Sequence, residues 1–132
     1  SKGVQIATRF VATDECDASI TFKQAYIDCC KEDIVIINSP VGLPGRTIRN
    51  KFISNVLEGE RIPFKCPWKC LQTCDFRTAP YCIAMALTNA KRGNLEEGFA
   101  FCGANAYRVK EIVPLKLLMK TILSEYKAAA SQ

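Results

Sequence analysis

The chain has 132 residues, a formal net charge of +5, eight cysteines and no histidine. It is long enough for one domain with a hydrophobic core. Its charges are mixed along the chain without a long basic run, which argues against nucleic-acid binding. No stretch reaches the length of a membrane-spanning helix, and no signal peptide is recognisable, so we expect a cytoplasmic protein without a membrane partner.

The first ten residues predict a β-strand. In residues 3–10 the side chains alternate between two faces, of which one carries Val4, Ile6, Thr8 and Phe10. No hairpin partner follows in the sequence, although a strand needs neighbours to satisfy its backbone groups. We therefore expect the missing strands to come from self-association or from a partner segment.

The rest of the chain predicts mostly helices. Apolar residues recur at helical spacing in four segments, which are residues 18–29, residues 47–57, residues 81–91 and the stretch that follows Pro114. A run rich in Ile and Val at residues 33–37 predicts a strand, and the prolines and glycines of residues 38–45 predict a loop. Residues 99–109 fit either a strand or a tight turn, and residues 127–132 are predicted to fray.

No clear boundary interrupts the sequence, so residues 1–132 are predicted to form a single unit. Its first part, residues 1–32, holds the first strand and the helix after it. Residues 33–98 hold a strand, helices and an irregular cysteine-rich segment. Residues 99–132 hold a closing segment and the last helix.

Three motifs occur in order along the chain. Residues 3–10 read Gly-Val-Gln-Ile-Ala-Thr-Arg-Phe, and residues 93–109 form a late segment punctuated by glycines. Between them, Gly42, Arg46 and Asn50 fit a Gly-x-x-x-Arg-x-x-x-Asn pattern. Together the motifs resemble the FMN-dependent nitronate monooxygenase family, also called 2-nitropropane dioxygenases, which includes the FabK-type enoyl reductases.

The resemblance implies an α/β fold, namely the C-terminal fragment of a TIM (β/α)8 barrel with one last barrel strand followed mostly by helices. A complete barrel takes about 250 residues, so the upstream barrel portion of the same enzyme would be a partner. The implied activity is that of an FMN-dependent oxidoreductase of the nitronate monooxygenase type. The alternative within the family is an enoyl-thioester (enoyl-ACP) reductase, and the substrate would be a nitronate or a nicotinamide.

The resemblance also implies a cofactor site. The family segment that matches Gln5, Ile6, Ala7 and Thr8 wraps the FMN phosphate, largely through backbone N–H groups, and Ala7 stands where glycine is usual. From the residues alone, an ordinary buried strand with a threonine is the simpler interpretation. The family's catalytic histidine belongs to an upstream Gly-Gly-His segment, so we expect no catalytic residue in this chain.

Four cysteines carry a separate hypothesis. Cys66, Cys70, Cys74 and Cys82 have the spacing C-x3-C-x3-C-x7-C. Four thiolates can hold a zinc ion or an iron–sulfur cluster, and two nearby lysines would lower the thiol pKa values. Such a centre would make the chain a non-enzymatic electron-transfer or structural module, or would coexist with the flavin; the alternative is a compact loop with reduced cysteines. Three other cysteines are expected in the core: Cys29, Cys30 and Cys102.

Overall fold

Short helices surround one small β-hairpin. The computed structural model describes residues 3–66 and 68–131. The strands are β1 (Ile34–Asn38) and β2 (Pro44–Ile48), and two 3-10 helices lie at Lys31–Asp33 and Ala106–Arg108. The α-helices are α1 (Thr8–Val11), α2 (Ile20–Asp28), α3 (Lys51–Leu57), α4 (Ile83–Lys91) and α5 (Leu115–Ala130).

The hairpin pairs β1 and β2 antiparallel. Its register places Ile34 opposite Ile48 and Asn38 opposite Pro44. The strand predicted at residues 33–37 is therefore confirmed, displaced by one residue. β-branched Ile and Val suit a pleated, partly buried surface, and the pairing with β2 satisfies the backbone of β1 on one side.

The second predicted helix begins later than its apolar pattern indicates. Of residues 47–57, Thr47 and Ile48 belong to β2, where Thr47 is completely buried. Helix α3 begins after Asn50, whose side chain accepts a hydrogen bond from the backbone N–H of Ile53 at 2.9 Å. This N-cap fixes the start of the helix, so the prediction of helix at residues 47–50 is wrong.

The strand predicted at residues 3–10 is also wrong. Residues 3–7 have no regular structure, and α1 follows them as a single helical turn. The backbone N–H groups of Phe10 and Val11 donate to the carbonyl of Ala7 at 2.9 and 3.3 Å. No strand in the described part of the chain lies beside this segment, so local hydrogen bonds replace the ladder that a barrel would supply.

The other helices follow their sequence patterns more closely. The helices predicted at residues 18–29 and 81–91 correspond to α2 and α4, and Ser19 caps α2 by accepting from the N–H of Phe22 at 3.1 Å. The final helix continues to Ala130, so most of the predicted frayed tail is helical. Throughout the ranges that the structure describes, no helix combines the length and apolar character needed to cross a membrane.

Residues 99–109 form no regular strand; their first half makes an isolated bridge to β2 at Phe101, and their second half turns. The first half lies along β2, where the N–H of Ile48 donates to the carbonyl of Ala100 at 3.0 Å. Next to it, the N–H of Cys102 donates to the carbonyl of Arg46 at 2.9 Å. The second half turns into the 3-10 helix that begins at Ala106.

The core has two hydrophobic clusters, which the extended run at residues 99–102 joins. Phe99 is completely buried, and its ring centroid lies 5.9 Å from that of Phe52, 5.7 Å from that of Tyr81 and 5.0 Å from that of Phe101. Along the same run, Ala100 and Cys102 pack against the second cluster instead. The second cluster contains Tyr26, Cys29, Ile48, Ala100 and Ala106.

The hydroxyl of Tyr81 is buried with no hydrogen-bond partner among the described residues, and burial raises its pKa to about 12. The unfolded chain releases this proton near pH 10, whereas the folded chain keeps it to about pH 12. The free energy of unfolding is therefore expected to decrease over this interval. We expect Tyr81→Phe to reduce that decrease and to change stability at pH 7 by less than about 1 kcal/mol.

Urea unfolding of both proteins at pH 7 and at several values above pH 9 measures the effect. Tyr26 and Cys102 also have pKa values raised by burial, so part of the pH dependence should survive in the variant. A loss of several kcal/mol at pH 7 in Tyr81→Phe would show that the hydroxyl has a stabilising partner.

Candidate functional site

The main cavity lies beside the N-terminal segment and has a volume of about 840 Å³. Its walls come from residues 5–9, from residues 103–111 and from one side of α5. The predicted phosphate-binding residues Gln5, Ile6, Ala7 and Thr8 all line it. The late glycine-punctuated segment forms the facing wall, so two separately predicted motifs share one cavity.

A hydrogen bond joins the two walls. The backbone N–H of Gly103 donates to Oγ1 of Thr8 at 2.9 Å. A Cβ added at Gly103 would lie 3.2 Å from that oxygen, closer than ordinary van der Waals contact allows. The backbone at Gly103 is therefore in direct contact with the Thr8 hydroxyl. Because this hydroxyl accepts the bond, it can still donate its own proton to another group.

Alanine fits at residue 7 without backbone strain. Ala7 is the N-cap residue of α1 and has φ −125° and ψ −52°. This φ is negative and open to any L-residue, so the position does not require the glycine that is usual in the family. The substitution adds a methyl group to the cavity wall and leaves the turn intact.

The cavity carries three basic and two acidic side chains. Arg9 and Glu125 pair across it, with Nη1 and Nη2 of the guanidinium 2.7 and 3.3 Å from the carboxylate oxygens. This hydrogen bond holds the pKa of Glu125 below its usual value. The other charged residues on the walls are Arg108, Lys110 and Glu111, so the lining has a net positive charge that suits an anionic group.

A buried lysine holds this region together, and the sequence gives no sign of it. Lys23 on α2 is 6% exposed, and its Nζ donates to the carbonyl oxygens of Thr13 and Asp14 at 2.6 and 3.2 Å. The N–H of Asp14 donates in turn to the carbonyl of Val113 at 3.1 Å. Oε2 of Glu15 accepts from the N–H of Leu115 at 2.7 Å. These bonds fix the end of α1 against the start of α5, which both border the cavity.

The four spaced cysteines lie on one long loop and at its end. Cys82 is buried directly before α4, Cys66 and Cys74 are partly buried, and Cys70 is exposed. Within residues 3–66 and 68–131, no three Cys, Asp or Glu side chains converge in an arrangement that could hold a metal ion. The metal hypothesis therefore stays a prediction.

The pKa of the Cys74 thiol differs from what the sequence predicts. Partial burial, followed by the negative charge of Cys66, Cys70 and Cys82, raises the pKa of the Cys74 thiol. This direction is opposite to the lowering expected from the nearby lysines. The charges of the other three cysteines thus add to the effect of burial on the Cys74 thiol.

The three remaining cysteines of the sequence analysis divide between core and surface. Cys29 is buried and Cys102 is half-buried, as expected. The prediction for Cys30 is wrong, because this residue is exposed at the start of the first 3-10 helix. Its thiol donates to Oδ2 of Asp33 at 3.0 Å, and this bond is the main cause that raises its pKa.

Comparison with known proteins decides the family. The sequence model of the nitronate monooxygenase family matches residues 1–125. The chain belongs to this family. A probable nitronate monooxygenase of Staphylococcus saprophyticus subsp. saprophyticus is 38% identical over 58 residues, which are 44% of this chain and 16% of that protein.

Two solved structures of FabK from Thermotoga maritima share the fold. One superposes with a TM-score of 0.76 and 28% identity, and covers 98% of this chain and 38% of FabK. A mutant of the same enzyme gives a TM-score of 0.72 and 25% identity, and covers 99% of this chain and 36% of the mutant. The chain thus spans less than two fifths of the relatives that it matches. FabK is a TIM-barrel enzyme, and the small α/β unit seen here is consistent with part of such a barrel.

Proposed function

We propose that this chain is the C-terminal portion of an FMN-dependent oxidoreductase of the nitronate monooxygenase type. Its role is to hold part of the FMN phosphate with Gln5, Ile6, Ala7 and Thr8. The observation that carries the proposal is the bond between Thr8 and Gly103, which joins both flavin-associated motifs on the wall of one cavity. The family match over residues 1–125 supports it independently.

The residues present suit this cofactor. The cavity volume of about 840 Å³ lies in the range of roughly 300–1,000 Å³ that is typical of small-molecule and cofactor sites. Backbone N–H groups and the Thr8 hydroxyl can donate to phosphate oxygens, and the basic lining offsets phosphate charge. When bound, FMN would supply the redox chemistry, and this chain would contribute binding and orientation.

The rest of the active site would come from the upstream barrel portion. This sequence has no histidine, so it lacks the side chain that serves most often as a general base near neutral pH. Val4 and Ile6 in the N-terminal segment are 78% and 39% exposed. In the proposed enzyme they would pack against the upstream strands, which would also give residues 3–10 the strand pairing that they lack here. Self-association is the other way to cover them.

The same site would serve an enoyl-thioester reductase, the second candidate. The structural match to FabK over 98% of this chain favours it. A complete enzyme that consumes a nitronate without added nicotinamide would support the first activity. Oxidation of a reduced nicotinamide that depends on an enoyl thioester would support the second.

The proposal predicts a phosphate-specific effect of Thr8→Val in the complete enzyme that contains this segment. A hydrogen bond to a charged group contributes about 1.5–3 kcal/mol, so FMN affinity is expected to fall at least about tenfold. Riboflavin has no phosphate, so its affinity should fall much less, by only the effect of losing the acceptor of the Gly103 N–H. Fluorescence titration of the apoenzyme with both flavins measures the two affinities.

Thr88→Val is the matched control, because the Thr88 hydroxyl donates to the Ala84 carbonyl within α4 and does not line the cavity. It should bind both flavins like the parent enzyme. Equal losses for FMN and riboflavin in Thr8→Val, or no loss at all, would refute the assignment of Thr8 to the phosphate.

A further inference from the structure

An ion pair on the cavity wall joins the two ends of the chain. Nη1 and Nη2 of Arg9 donate to the two carboxylate oxygens of Glu125 at 2.7 and 3.3 Å. Arg9 belongs to α1 and Glu125 to the second half of α5, so the partners are 116 residues apart in sequence. This two-point contact uses the forked shape of the guanidinium, which fits a carboxylate and a phosphate alike.

The pair is open to solvent and to exchange. The side chains of Arg9 and Glu125 are 36% and 57% exposed. Ion pairs with this much exposure contribute little net stability, so a second anion can compete for the guanidinium. A phosphate monoester carries about −1.5 to −2 charge at pH 7 and has three acceptor oxygens, whereas the carboxylate has a single negative charge. Phosphate is therefore the stronger competitor for the same donors.

The surroundings of Arg9 favour an anion at this position. Arg9 directly follows Thr8, whose hydroxyl accepts one bond and keeps its own proton to donate. Arg108 and Lys110 on the facing wall add positive charge. Displacement of Glu125 from Arg9 would make one more guanidinium charge available to a ligand in the cavity.

Helix α5 is anchored at its start and not at the level of Glu125. Leu118 is its buried residue, and the N–H of Leu115 donates to Oε2 of Glu15 at 2.7 Å. Glu125 lies seven residues beyond Leu118, which is about 10 Å along a helix. Residues 119–130 are partly or fully exposed. An exchange of partner at Arg9 would therefore loosen the second half of α5 and leave its anchored first turn in place.

We propose that Arg9 is an anion-binding residue of the cavity, and that Glu125 holds its guanidinium until a phosphate monoester replaces the carboxylate. The ligand would be bound by the same Nη atoms that now bind Glu125, and no covalent bond forms or breaks. The inference rests on the proposed function only for one source of the phosphate, which is FMN. A phosphorylated substrate or free phosphate is the other source of the same group.

Titration of the chain with sodium phosphate at constant ionic strength, followed by nuclear magnetic resonance of the Arg9 Nε–H, tests the exchange. We expect this signal to shift with phosphate and not with chloride. Glu125→Gln should lower the dissociation constant for phosphate roughly two- to fivefold, as expected for loss of a weak exposed pair. Arg9→Gln should raise it at least about tenfold, because hydrogen bonds to a charged group are lost.

Glu111→Gln is the matched control. It removes the same charge from the cavity lining and leaves the pair between Arg9 and Glu125 in place, so its dissociation constant should stay near that of the parent. An equal gain in Glu111→Gln and Glu125→Gln would overturn the proposal, because the lining would then respond to charge alone. Unchanged phosphate affinity in Arg9→Gln would also overturn it, as would an Arg9 signal in the parent chain that phosphate does not shift.

The complete enzyme separates the two sources of phosphate. If FMN supplies the group, Glu125→Gln should bind FMN more tightly and riboflavin as before, and bound FMN should prevent the shift of the Arg9 signal by phosphate. If a substrate supplies it, the FMN-loaded enzyme should still show that shift. Failure of Thr8→Val to weaken FMN binding would remove Thr8 from the phosphate site without changing the phosphate titration at Arg9, so the two proposals can fail separately.

Discussion

Adding one methyl group at residue 98 is expected to destabilise the chain by about 3 kcal/mol or more. A Cβ at Gly98 would collide with the carbonyl oxygen of Ala86 and would lie 2.7 Å from the backbone nitrogen of Ala90. Both atoms belong to the backbone of α4, so no side chain can rotate away. Overpacking typically costs about 1–3 kcal/mol, and contact with helical backbone places Gly98→Ala at the upper end or beyond.

Urea unfolding followed by far-UV circular dichroism measures the change. The matched control is Gly3→Ala, which adds the same methyl group where nothing lies within 4 Å; its midpoint should stay near that of the parent. An equal midpoint for Gly98→Ala would mean that α4 and residue 98 are further apart than described. We also expect Gly98→Ala to loosen the packing of residues 99–102, because these residues connect Gly98 to Gly103 on the cavity wall.

Periodicity predicted the helices whose apolar faces pack on the two clusters. The pattern of residues 81–91 corresponds to α4, where Ala86 and Ala90 are buried. The first boundary of α2 was predicted less well, because its N-cap is Ser19, a residue inside the segment 18–29 that was predicted to be helical. These features are local, since a helix satisfies its hydrogen bonds within its own segment.

Strand pairing was harder to predict because it depends on distant residues. Residues 3–10 have the alternation of a strand, but no strand among the described residues pairs with them. Thr47 and Ile48 continue an apolar pattern that also fits α3, yet they pair with β1. The sequence pattern indicates which secondary structure a segment prefers, and its contacts with distant residues decide which one it adopts.

The sequence predicted the separate motifs of the candidate site but not the contact between them. The motifs around Thr8 and Gly103 are both visible in the sequence, and their order follows the family. The chain beyond α1 is held by Lys23, whose burial against the Thr13 and Asp14 carbonyls leaves no sequence signal. Long side chains of lysine usually lie at the surface, so only the folded chain reveals this one.

Replacement of Asn50 should have the second large effect, because one side chain makes three hydrogen bonds. Oδ1 accepts from the N–H of Ile53 at 2.9 Å, and Nδ2 donates to the carbonyls of Leu95 and Gly98 at 3.0 and 2.8 Å. Asn50→Ala removes an N-cap that contributes about 1 kcal/mol and leaves two partly buried carbonyls unpaired. We expect a total loss of about 2–4 kcal/mol in the free energy of unfolding.

Asn50→Asp separates the two contributions. The carboxylate can still accept from the N–H of Ile53, so the cap survives, but it cannot donate to Leu95 and Gly98 and it repels their carbonyl oxygens. If those bonds dominate, Asn50→Asp should be at least as unstable as Asn50→Ala in urea unfolding. If the cap dominates, Asn50→Asp should approach the parent, and that result would contradict the importance given to the two carbonyl bonds.

The motif Gly42, Arg46 and Asn50 lies along a part of the chain that supports residues 98–102. Gly42 supplies the left-handed residue of the hairpin loop, with φ +84°, and the Arg46 carbonyl accepts from the N–H of Cys102. Asn50 secures Gly98 at the other end of the same run. Residues of the motif thus make hydrogen bonds at both ends of the run, at Gly98 and at Cys102, and this run leads directly to Gly103.

Hydrogen exchange at the Gly103 amide should therefore accelerate in Asn50→Ala under native conditions. Unchanged exchange would show that the cavity wall is held independently of Asn50.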